Sequence, residues 1–440
     1  MAHDALQRRA GPIMTYLPRD MPTGCGCDDL KTTSKWISID EAFDRISRHV
    51  FPIARAETLP IQNAKGRVLA NEVCAKGDMP RFDHAAMDGY AVDSTAFAGD
   101  GPWLFPVTGR IAAGDAPGTG CASADACRIF TGAPLPERYD SVIMQERAEK
   151  IGNLIRFDTR PEPRENVRQR GEEYQSGAAI LSAGTVLTPG AIAACASAGH
   201  GKVTVHKRVR VALIATGSEV ATPGMQELEE GQIWDVNTPM LHALLSRPDV
   251  DLNDIIRVKD SLHDIRDAMQ SAAENADLVV TTGGVSVGDE DHLHGAVQAA
   301  GGSVIFAGVA MKPGKPVTLG RIGNATWLGL PGNPGSAFVT WSIFGEGVLN
   351  ALSGRQRTMP KRRHVLLGHD LFRKAGRCEI RAACIVGIAG DGRDVIECTS
   401  GGTSGQVSHY ATADGFAFLP SELDQMPAGT LVEFLPFCTN

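Results

Sequence analysis

The stretch Asp277–Gly288 reads DLVVTTGGVSVG and joins a short apolar run to a glycine-rich loop. An uninterrupted apolar run of this kind is typical of a strand that is buried on both faces of a parallel sheet. Two similar runs, Val209–Thr216 (VRVALIAT) and Ala325–Leu330 (ATWLGL), lie before and after it in the chain. Stretches with helical spacing of apolar residues separate these runs, so residues 207–355 are predicted to form a doubly wound, mainly parallel α/β domain.

The same alternation of strand and helix continues between and beyond these runs. Apolar residues within 240–245 predict a helix, and Ile255–Val258 predicts a further strand. Residues 263–274 predict a second helix, and Val339–Leu352 predicts a last one. Parallel strands joined by helices need right-handed crossovers, so we expect helices to cover both faces of the sheet.

The rest of the chain predicts a multi-domain protein with α/β and β parts. Ser38 and Glu41 form the sequence signature of a capping box, and Ala191–Ala198 has the composition of a short helix. Short apolar segments broken by Gly and Pro predict a β-rich insertion, and similar segments after Pro360 predict a small C-terminal domain resembling a β-barrel. The predicted division is a flexible N-terminal extension over 1–34, a mixed linker domain over 35–72 and 175–206, a β-rich domain over 73–174, the α/β domain over 207–355 and the C-terminal β domain over 356–440.

Composition excludes several classes of protein. Of the 440 residues, 43% are hydrophobic and 21% are charged, as in folded globular proteins. No run approaches the roughly 18–20 apolar residues that a membrane-spanning helix needs, and the first residues lack the apolar segment of a secretory signal. The net charge of −8 disfavours nucleic acid and anionic membranes as partners.

The ten cysteines are scattered along the chain and include no CxxC pair. This spacing predicts neither a disulfide framework nor a zinc site. Reduced thiols and a cytoplasmic location are therefore the expectation.

Three loops follow the predicted parallel strands and carry the chemistry of the α/β domain. They are Gly217–Glu219, Gly283–Gly288 and Pro331–Ser336. Glycines at such turns allow backbone amides to approach an anion closely, at the edge of the sheet where ligands bind. Phosphate binding is the hypothesis, although each loop taken alone is also compatible with a tight or rigid turn.

Charged side chains surround these loops in the sequence. Lys312 and Lys315 in the segment MKPGKP form a cationic pair suited to an oxyanion, although two solvated lysines are the alternative. Four acids, each of which can also be a helix cap or a solvated charge, stand at or just after strand ends: Glu219, Asp235, Asp260 and Asp291. Carboxylates beside a phosphate need a hard cation such as Mg²⁺. A transition-metal site at His292 and His294 is disfavoured, because neighbouring residues at the start of a helix point in different directions.

The motifs taken in order resemble the molybdopterin molybdenumtransferases, the MoeA and gephyrin E-domain family. Three of them lie in the α/β domain: TTGGVSVGDED (281–291), MKPGKP (311–316) and LPGNPGSA (330–337). The others precede it: FDHAAMDGYAV (82–92), RIFTGAPLP (128–136), VIMQE (142–146) and NVRQRGEE (166–173). The resemblance extends from about residue 36 to the end of the chain and identifies the α/β domain as one of molybdopterin-binding type.

The resemblance implies the last step of molybdenum cofactor biosynthesis. In that step molybdate is inserted into adenylylated molybdopterin, with Mg²⁺-dependent cleavage of the adenylate and release of AMP. It also implies a homodimer that forms through the mixed linker domain and shares its active sites between subunits. The upstream adenylyltransferase and the recipient molybdoenzymes are the implied protein partners, and no nucleic acid or membrane is expected.

The resemblance further implies the site residues. Glu219, Asp260 and Asp291 would be catalytic and hold the metal, and Asp88 and Thr131 would be catalytic residues that reach the site of the other subunit. The cofactor-binding residues would be Gly283, Gly284, Ser286, Gly288, Lys312, Lys315, Pro331, Gly332, Asn333, Pro334, Ser336, Arg168 and Ser404.

Several positions depart from the family pattern and leave alternatives open. Members often carry Asp where Ser218 stands, and some carry Lys where Gly308 stands. His84 and His292 also replace commoner residues. A tungstate-preferring paralogue and a non-catalytic pterin-binding scaffold on the same fold remain alternatives. An adenylyltransferase is disfavoured because the chain has domains beyond the α/β domain, and a P-loop hydrolase because GxxxxGK[ST] is absent from the sequence. The sequence leaves open the preferred oxyanion, the recipient enzymes, the affinities and the role of the N-terminal extension.

Overall fold

The computed structural model describes residues 36–116, 125–224, 227–283, 292–356, 359–399 and 407–437. The chain forms two compact units, one made of Ala54–Lys207 and the other of the described residues up to Ile53 together with those from Arg208 onward. The N-terminal extension predicted over residues 1–34 lies outside the described residues. No helix in the described part of the chain is long and apolar enough to cross a membrane.

The larger unit contains a six-stranded sheet whose central strands are fully buried. Its strands lie in the order Val250–Val258, Val209–Thr216, Leu278–Thr282, Ala325–Leu330, Thr318–Ile322 and Ser303–Ala307. The first four strands are parallel, and Thr318–Ile322 pairs antiparallel with both of its neighbours. The predicted fold class is confirmed. The two strands at one edge, Thr318–Ile322 and Ser303–Ala307, are additional to those that the sequence analysis identified.

Helices pack on both faces of this sheet, and their apolar residues divide between two cores. They are Asn237–Leu245, Leu262–Asn275, His292–Ala299, and Pro334–Thr340, which continues through a π-helical segment, Trp341–Gly345, into Glu346–Leu352. The last helix begins at Pro334 and not at Val339 as predicted. Proline fits the first turn of a helix, where its missing N–H removes no hydrogen bond, so the Pro-Gly pair starts the helix instead of preceding it.

The helix Ile39–His49 belongs to the same unit, and its buried side of apolar residues includes Phe43, whose ring centroid lies 5.4 Å from that of Phe344. The predicted cap is present, because Ser38 Oγ accepts a hydrogen bond from the Glu41 amide at 3.0 Å. A capping box also predicts that the Glu41 carboxylate accepts a hydrogen bond from the Ser38 amide. This prediction is wrong, since the carboxylate pairs with Arg45 one turn further along the helix. An ion pair at this spacing competes for the carboxylate with the amide of the cap residue.

The C-terminal strands close into a barrel, as predicted. Cys378–Ile388 is long enough to pair with both Asp394–Cys398 and Gly415–Leu419, which completes a ring of five strands. The other members of the ring are Arg363–Leu367 and Leu431–Pro436. Apolar residues such as Ile396, Leu419 and Phe434 fill the barrel. A short pair, Leu371–Phe372 with Gln425–Met426, lies beside it, and Met311–Lys312 adds to the barrel sheet through Cys378–Ile388.

The smaller unit is rich in β-structure, as predicted for its central part. Its six-stranded sheet has the order Ser141–Met144, Gly89–Val92, Ala126–Ile129, Trp103–Ile111, Leu154–Phe157 and Ala148–Ile151. Phe97 lies within 6 Å, between ring centroids, of Trp103, Phe105 and Phe157, and these rings form part of a core on one side of the sheet.

The remainder of the smaller unit combines strand pairs with one helix. The helix is Pro189–Ser197, which confirms the predicted helix with a start two residues earlier, and Thr188 caps it. The strand pairs are Ala56–Pro60 with Lys202–His206, Val73–Cys74 with Ala179–Leu181, and His84–Ala85 with Val167–Arg168.

A buried ion-pair network joins the start of the edge strand to the last helix of the larger unit. Asp249 is 2% exposed and accepts hydrogen bonds from Arg247 at 2.9 Å and from Arg355 at 2.8 Å. Arg247 also donates to Glu346 at 2.6 Å and to Asn350 at 3.1 Å. Burial by itself raises the pKa of Asp249, but the charges and hydrogen bonds of the two arginines outweigh it and hold that pKa below its usual value.

We predict that Asp249→Asn lowers the thermal unfolding midpoint of the larger unit, because the partly buried guanidinium groups of Arg247 and Arg355 lose their common anion. Breaking a buried pair in this way costs about 3–5 kcal/mol, and retained Glu346 places the loss near the lower figure. Asp254→Asn, on the exposed side of the same strand, is the matched control and is expected to change stability by less than about 0.5 kcal/mol. Equal midpoints for the two variants would contradict the prediction.

Candidate functional site

A cavity of about 400 Å³ opens at the carboxyl ends of the central strands in the larger unit. The structure brings together here the three loops that the sequence analysis singled out. Gly217 and Glu219 follow the strand Val209–Thr216, Gly283 follows Leu278–Thr282, and the segment 331–334 follows Ala325–Leu330. A crevice at this edge is where open parallel sheets bind their ligands.

The loops approach one another so closely that glycine is required at the contact. Gly283 has φ +96°, and a Cβ atom there would lie 2.5 Å from Thr216 Oγ1 and 2.6 Å from the Thr216 carbonyl oxygen. A Cβ on Gly332 would lie 3.3 Å from the Gly283 Cα. The wall of the cavity is therefore backbone packed against backbone.

Asn237 forms hydrogen bonds that connect the strand end at Thr282 to the loop at Gly332. Its Nδ2 donates to Thr282 Oγ1 at 2.8 Å and to the Gly332 carbonyl oxygen at 2.7 Å. Its Oδ1 is buried, and no described residue donates a hydrogen bond to it. The sequence analysis missed Asn237. Its one signal was an asparagine three residues before the helix predicted within 240–245.

Two predicted acids, Glu219 and Asp260, line the cavity with exposed carboxylates. Asp235 also lines it but is 3% exposed, accepting hydrogen bonds from the Thr238 amide at 2.9 Å and from Arg257 at 3.0 Å. It therefore caps the following helix, one of the alternatives considered for these acids. Among the described residues, no group of three His, Cys, Asp or Glu side chains could hold a metal ion.

One wall of the cavity is apolar and partly open to solvent. Ile233 and Trp234 are 56% and 39% exposed, and both line the cavity. They form a short parallel strand pair with Val220 and Ala221, so the wall is attached to the loop that carries Glu219. The sequence analysis missed this wall, because two apolar residues outside a periodic segment give no signal of their own.

The predicted lysine pair lies beside the cavity-lining residue Pro316. Lys312 Nζ is 3.8 Å from Glu379, and Lys315 Nζ lies 4.5 Å from the centroid of the Trp36 ring. Glu379 is 8% exposed, and its carboxylate also forms an ion pair with Arg381 Nε at 3.0 Å. The two lysines thus contact different groups, and neither is among the residues that line the cavity.

The remaining cofactor-binding candidates of this unit fall into three groups. Pro331, Gly332, Asn333 and Pro334 line the cavity, whereas Ser336 is 5% exposed and is buried within the following helix. The last group lies outside the described residues and comprises Gly284, Ser286, Gly288 and Ser404. Asp291, predicted as catalytic and metal-binding, also lies outside them.

In the smaller unit, the structure places Asp88 and Thr131 in direct contact. Asp88 Oδ1 accepts hydrogen bonds from the Thr131 amide at 2.8 Å and from the Thr131 hydroxyl at 2.7 Å. These two bonds, with the nearby charge of Arg128, hold the pKa of Asp88 below its usual value. Arg168 forms an exposed ion pair with Glu172 at 3.1 Å.

Three segments of the chain match family descriptions that together cover most of it. Residues 37–199 match the MoeA N-terminal region (domain I and II), and residues 212–351 match a probable molybdopterin binding domain. Residues 365–437 match the MoeA C-terminal region (domain IV).

Curated relatives are similar over nearly the full length. The chain is 32% identical over 406 residues to the molybdopterin molybdenumtransferase of Haemophilus influenzae, covering 91% of this chain and 98% of the relative. It is 36% identical over 304 residues to the enzyme of the same name from a Nostoc species, covering 68% and 70% of the two chains. A solved structure of the molybdopterin biosynthesis MoeA protein from Pyrococcus horikoshii OT3 has a TM-score of 0.77 and 25% identity, covering 92% of this chain and all of that one.

We predict that Gly283→Ala disturbs the cavity because the added methyl group would overlap Thr216. An alanine at positive φ costs about 1 kcal/mol, and the overlap with backbone raises the total to about 2–4 kcal/mol. Gly323→Ala is the matched control, since Gly323 has φ +56° with nothing within 4 Å of its would-be Cβ. A thermal midpoint as high for Gly283→Ala as for Gly323→Ala would contradict the close approach of the loops.

Proposed function

The chain belongs to the molybdopterin molybdenumtransferase family, and from that premise we propose that it inserts molybdate into adenylylated molybdopterin with release of AMP. It is an enzyme of molybdenum cofactor biosynthesis, a transferase. The observation that carries the finer proposal is the 400 Å³ cavity, where three strand-end loops meet two exposed carboxylates.

The glycine loops suit the phosphate of the adenylylated substrate. Gly217, Gly283 and Gly332 bring backbone close to the cavity, and backbone amides at such turns bind anions without the bulk of a side chain.

The apolar wall suits a planar ring. Trp234 lines the cavity and is partly exposed, and stacking on an aromatic face favours flat heterocycles such as adenine or a pterin. A substrate that carries a phosphate and two ring systems needs both kinds of surface, and the cavity offers both.

Mg²⁺ is the cation that we propose for this cavity. Carboxylate oxygens are the ligands it prefers, and Glu219 and Asp260 supply them on the described wall, so these residues fit the ion. Asp291, which the family resemblance adds as a third ligand, lies outside the described residues. When bound, the ion would neutralise the phosphate that is cleaved.

Catalysis is proposed to be electrostatic, with no covalent protein nucleophile. Molybdate, a dithiolene and a phosphate are all anionic, so cations and aligned amides must bring them together. Lys312 and Lys315 are proposed for oxyanion contacts. Buried thiols are poor candidates for nucleophiles: burial raises the pKa of Cys378 to about 12 and that of Cys398 to about 11.

We also propose a homodimer with shared active sites, in which Asp88 and Thr131 of the partner subunit complete each site. Support comes from the direct contact between the two residues in the smaller unit and from the family resemblance. We further propose the domain division stated above, a cytoplasmic location, and contacts with the adenylyltransferase and recipient enzymes.

We predict that purified protein with Mg²⁺ releases AMP from adenylylated molybdopterin only when molybdate is present. Glu219→Gln and Asp260→Asn should each lower the rate about a hundredfold, because each removes a carboxylate proposed to hold the Mg²⁺ that neutralises the reacting phosphate. Glu274→Gln, an exposed change in a helix away from the cavity, is the control. Pterin binding without any AMP release from the unmodified protein would favour the scaffold, and release with tungstate but not molybdate would favour the tungstate paralogue.

Shared active sites predict complementation between two inactive variants. In a mixed dimer of Asp88→Asn and Asp260→Asn, one site contains both changes and the other contains neither. Random mixing should restore about a quarter of the original rate, since half of the dimers are mixed and each has one intact site of two. Mixing Asp88→Asn with Thr131→Val should restore nothing. Equal rates in the two mixtures would contradict sharing.

A further inference from the structure

A second cavity, of about 280 Å³, adjoins the first and has the opposite charge. It shares Ala215, Thr216, Gly217 and Val220 with the first cavity. Its remaining lining residues are Ser218, Arg257, Val258 and Lys259. No acid is among the described residues that line it, whereas Glu219, Asp235 and Asp260 line the first cavity.

Arg257 is held in place from one side. One terminal nitrogen of its guanidinium donates to Asp235 at 3.0 Å, and the Asp235 carboxylate is itself fixed by the Thr238 amide at 2.9 Å. A guanidinium has five N–H donors, and this ion pair uses one of them. The Arg257 side chain is 44% exposed, so the group is oriented by a buried partner and still accessible to a ligand.

Lys259 and Ser218 complete a polar wall around the guanidinium. Both are exposed, and both line the second cavity. Gly217, which precedes Ser218, has φ +136°, a backbone conformation that favours glycine. This conformation directs the turn that carries the Ser218 hydroxyl. The wall therefore combines a planar fork of donors, a compact ammonium group and a hydroxyl.

The residue at position 218 decides the charge of this cavity. Members of the resembled family often have Asp there, and a carboxylate in this wall would offset one of the two cations. Ser218 carries no charge, so the described lining of this cavity contains two cations, Arg257 and Lys259, and no carboxylate. Asp235, which pairs with Arg257, lines only the first cavity.

We propose that the wall formed by Arg257, Lys259 and Ser218 binds a tetrahedral oxyanion, the chemistry shared by molybdate, phosphate and sulfate. Arginine and lysine are the side chains that bind such ions most strongly, through charge-assisted hydrogen bonds. The site is separate from the Lys312 and Lys315 pair, neither of which lines this cavity. If the proposed function holds, molybdate bound here waits beside the substrate cavity.

The test is direct binding of inorganic molybdate to the full chain, measured by equilibrium dialysis with metal analysis. The background is the double variant Lys312→Gln with Lys315→Gln, which removes the other cationic pair. Binding should persist in this background and weaken at least tenfold when Lys259→Gln or Ser218→Asp is added. Lys202→Gln, an exposed lysine on a strand of the smaller unit, is the control and should change nothing. Four of the five substituted residues, Lys202, Ser218, Lys259 and Lys312, are exposed, and Lys315 is half-buried. Thermal midpoints check that each variant folds.

The outcomes separate this proposal from the proposed function. Molybdate affinity that is unchanged by Lys259→Gln and Ser218→Asp overturns the proposal, and so does its complete loss in the double-lysine background. Phosphate and sulfate are then added as competitors. If they displace molybdate as readily as unlabelled molybdate does, the wall is a general oxyanion site; if they displace it only weakly, the wall prefers molybdate. Because no step depends on AMP release, a protein that fails to release AMP can still bind molybdate at this wall.

Discussion

The approach of three strand-end loops to within backbone contact is the constraint on which the site depends. Thr216, Gly283 and Gly332 meet where a single methyl group would not fit, and Asn237 ties the second loop to the third. Parallel strands bring their carboxyl ends to one edge of the sheet. The contacts between the loops at that edge form the wall of the cavity. The carboxylates and the indole are then attached to a rigid frame, which is what binding a charged, two-ring substrate requires.

Two adjoining cavities of opposite charge share this frame. Glu219 and Asp260 belong to one and Arg257 and Lys259 to the other, with the turn at Gly217 between them in the lining of both. Asp235 links the two electrostatically, because it is buried, caps a helix and orients Arg257. A cation site and an anion site held this close suit a reaction that brings several anions together.

Much of the fold could be predicted from the sequence, because buried strands such as Ala325–Leu330 are continuous apolar runs. The pairing of the edge strand Ser303–Ala307 with Thr318–Ile322, and the pairing of Cys378–Ile388 with two strands that completes the predicted barrel, could not. Hydrogen-bond partners depend on how the chain folds back and not on the local pattern of residues. Within the site, the glycine loops and acids could be located from motifs. The bonds of Asn237 and the contacts of the lysines could not, because they depend on which side chains the fold brings together.

The central claim is that the three loops form one binding wall, and hydrogen–deuterium exchange tests it most directly. The measurement compares the full chain with and without AMP and Mg²⁺ and follows the amides around 216–219, 282–283 and 332–333. The account predicts slower exchange in all three segments on addition of the nucleotide, with little change in the barrel strands. Protection confined to one loop, or found only in the barrel, would contradict it.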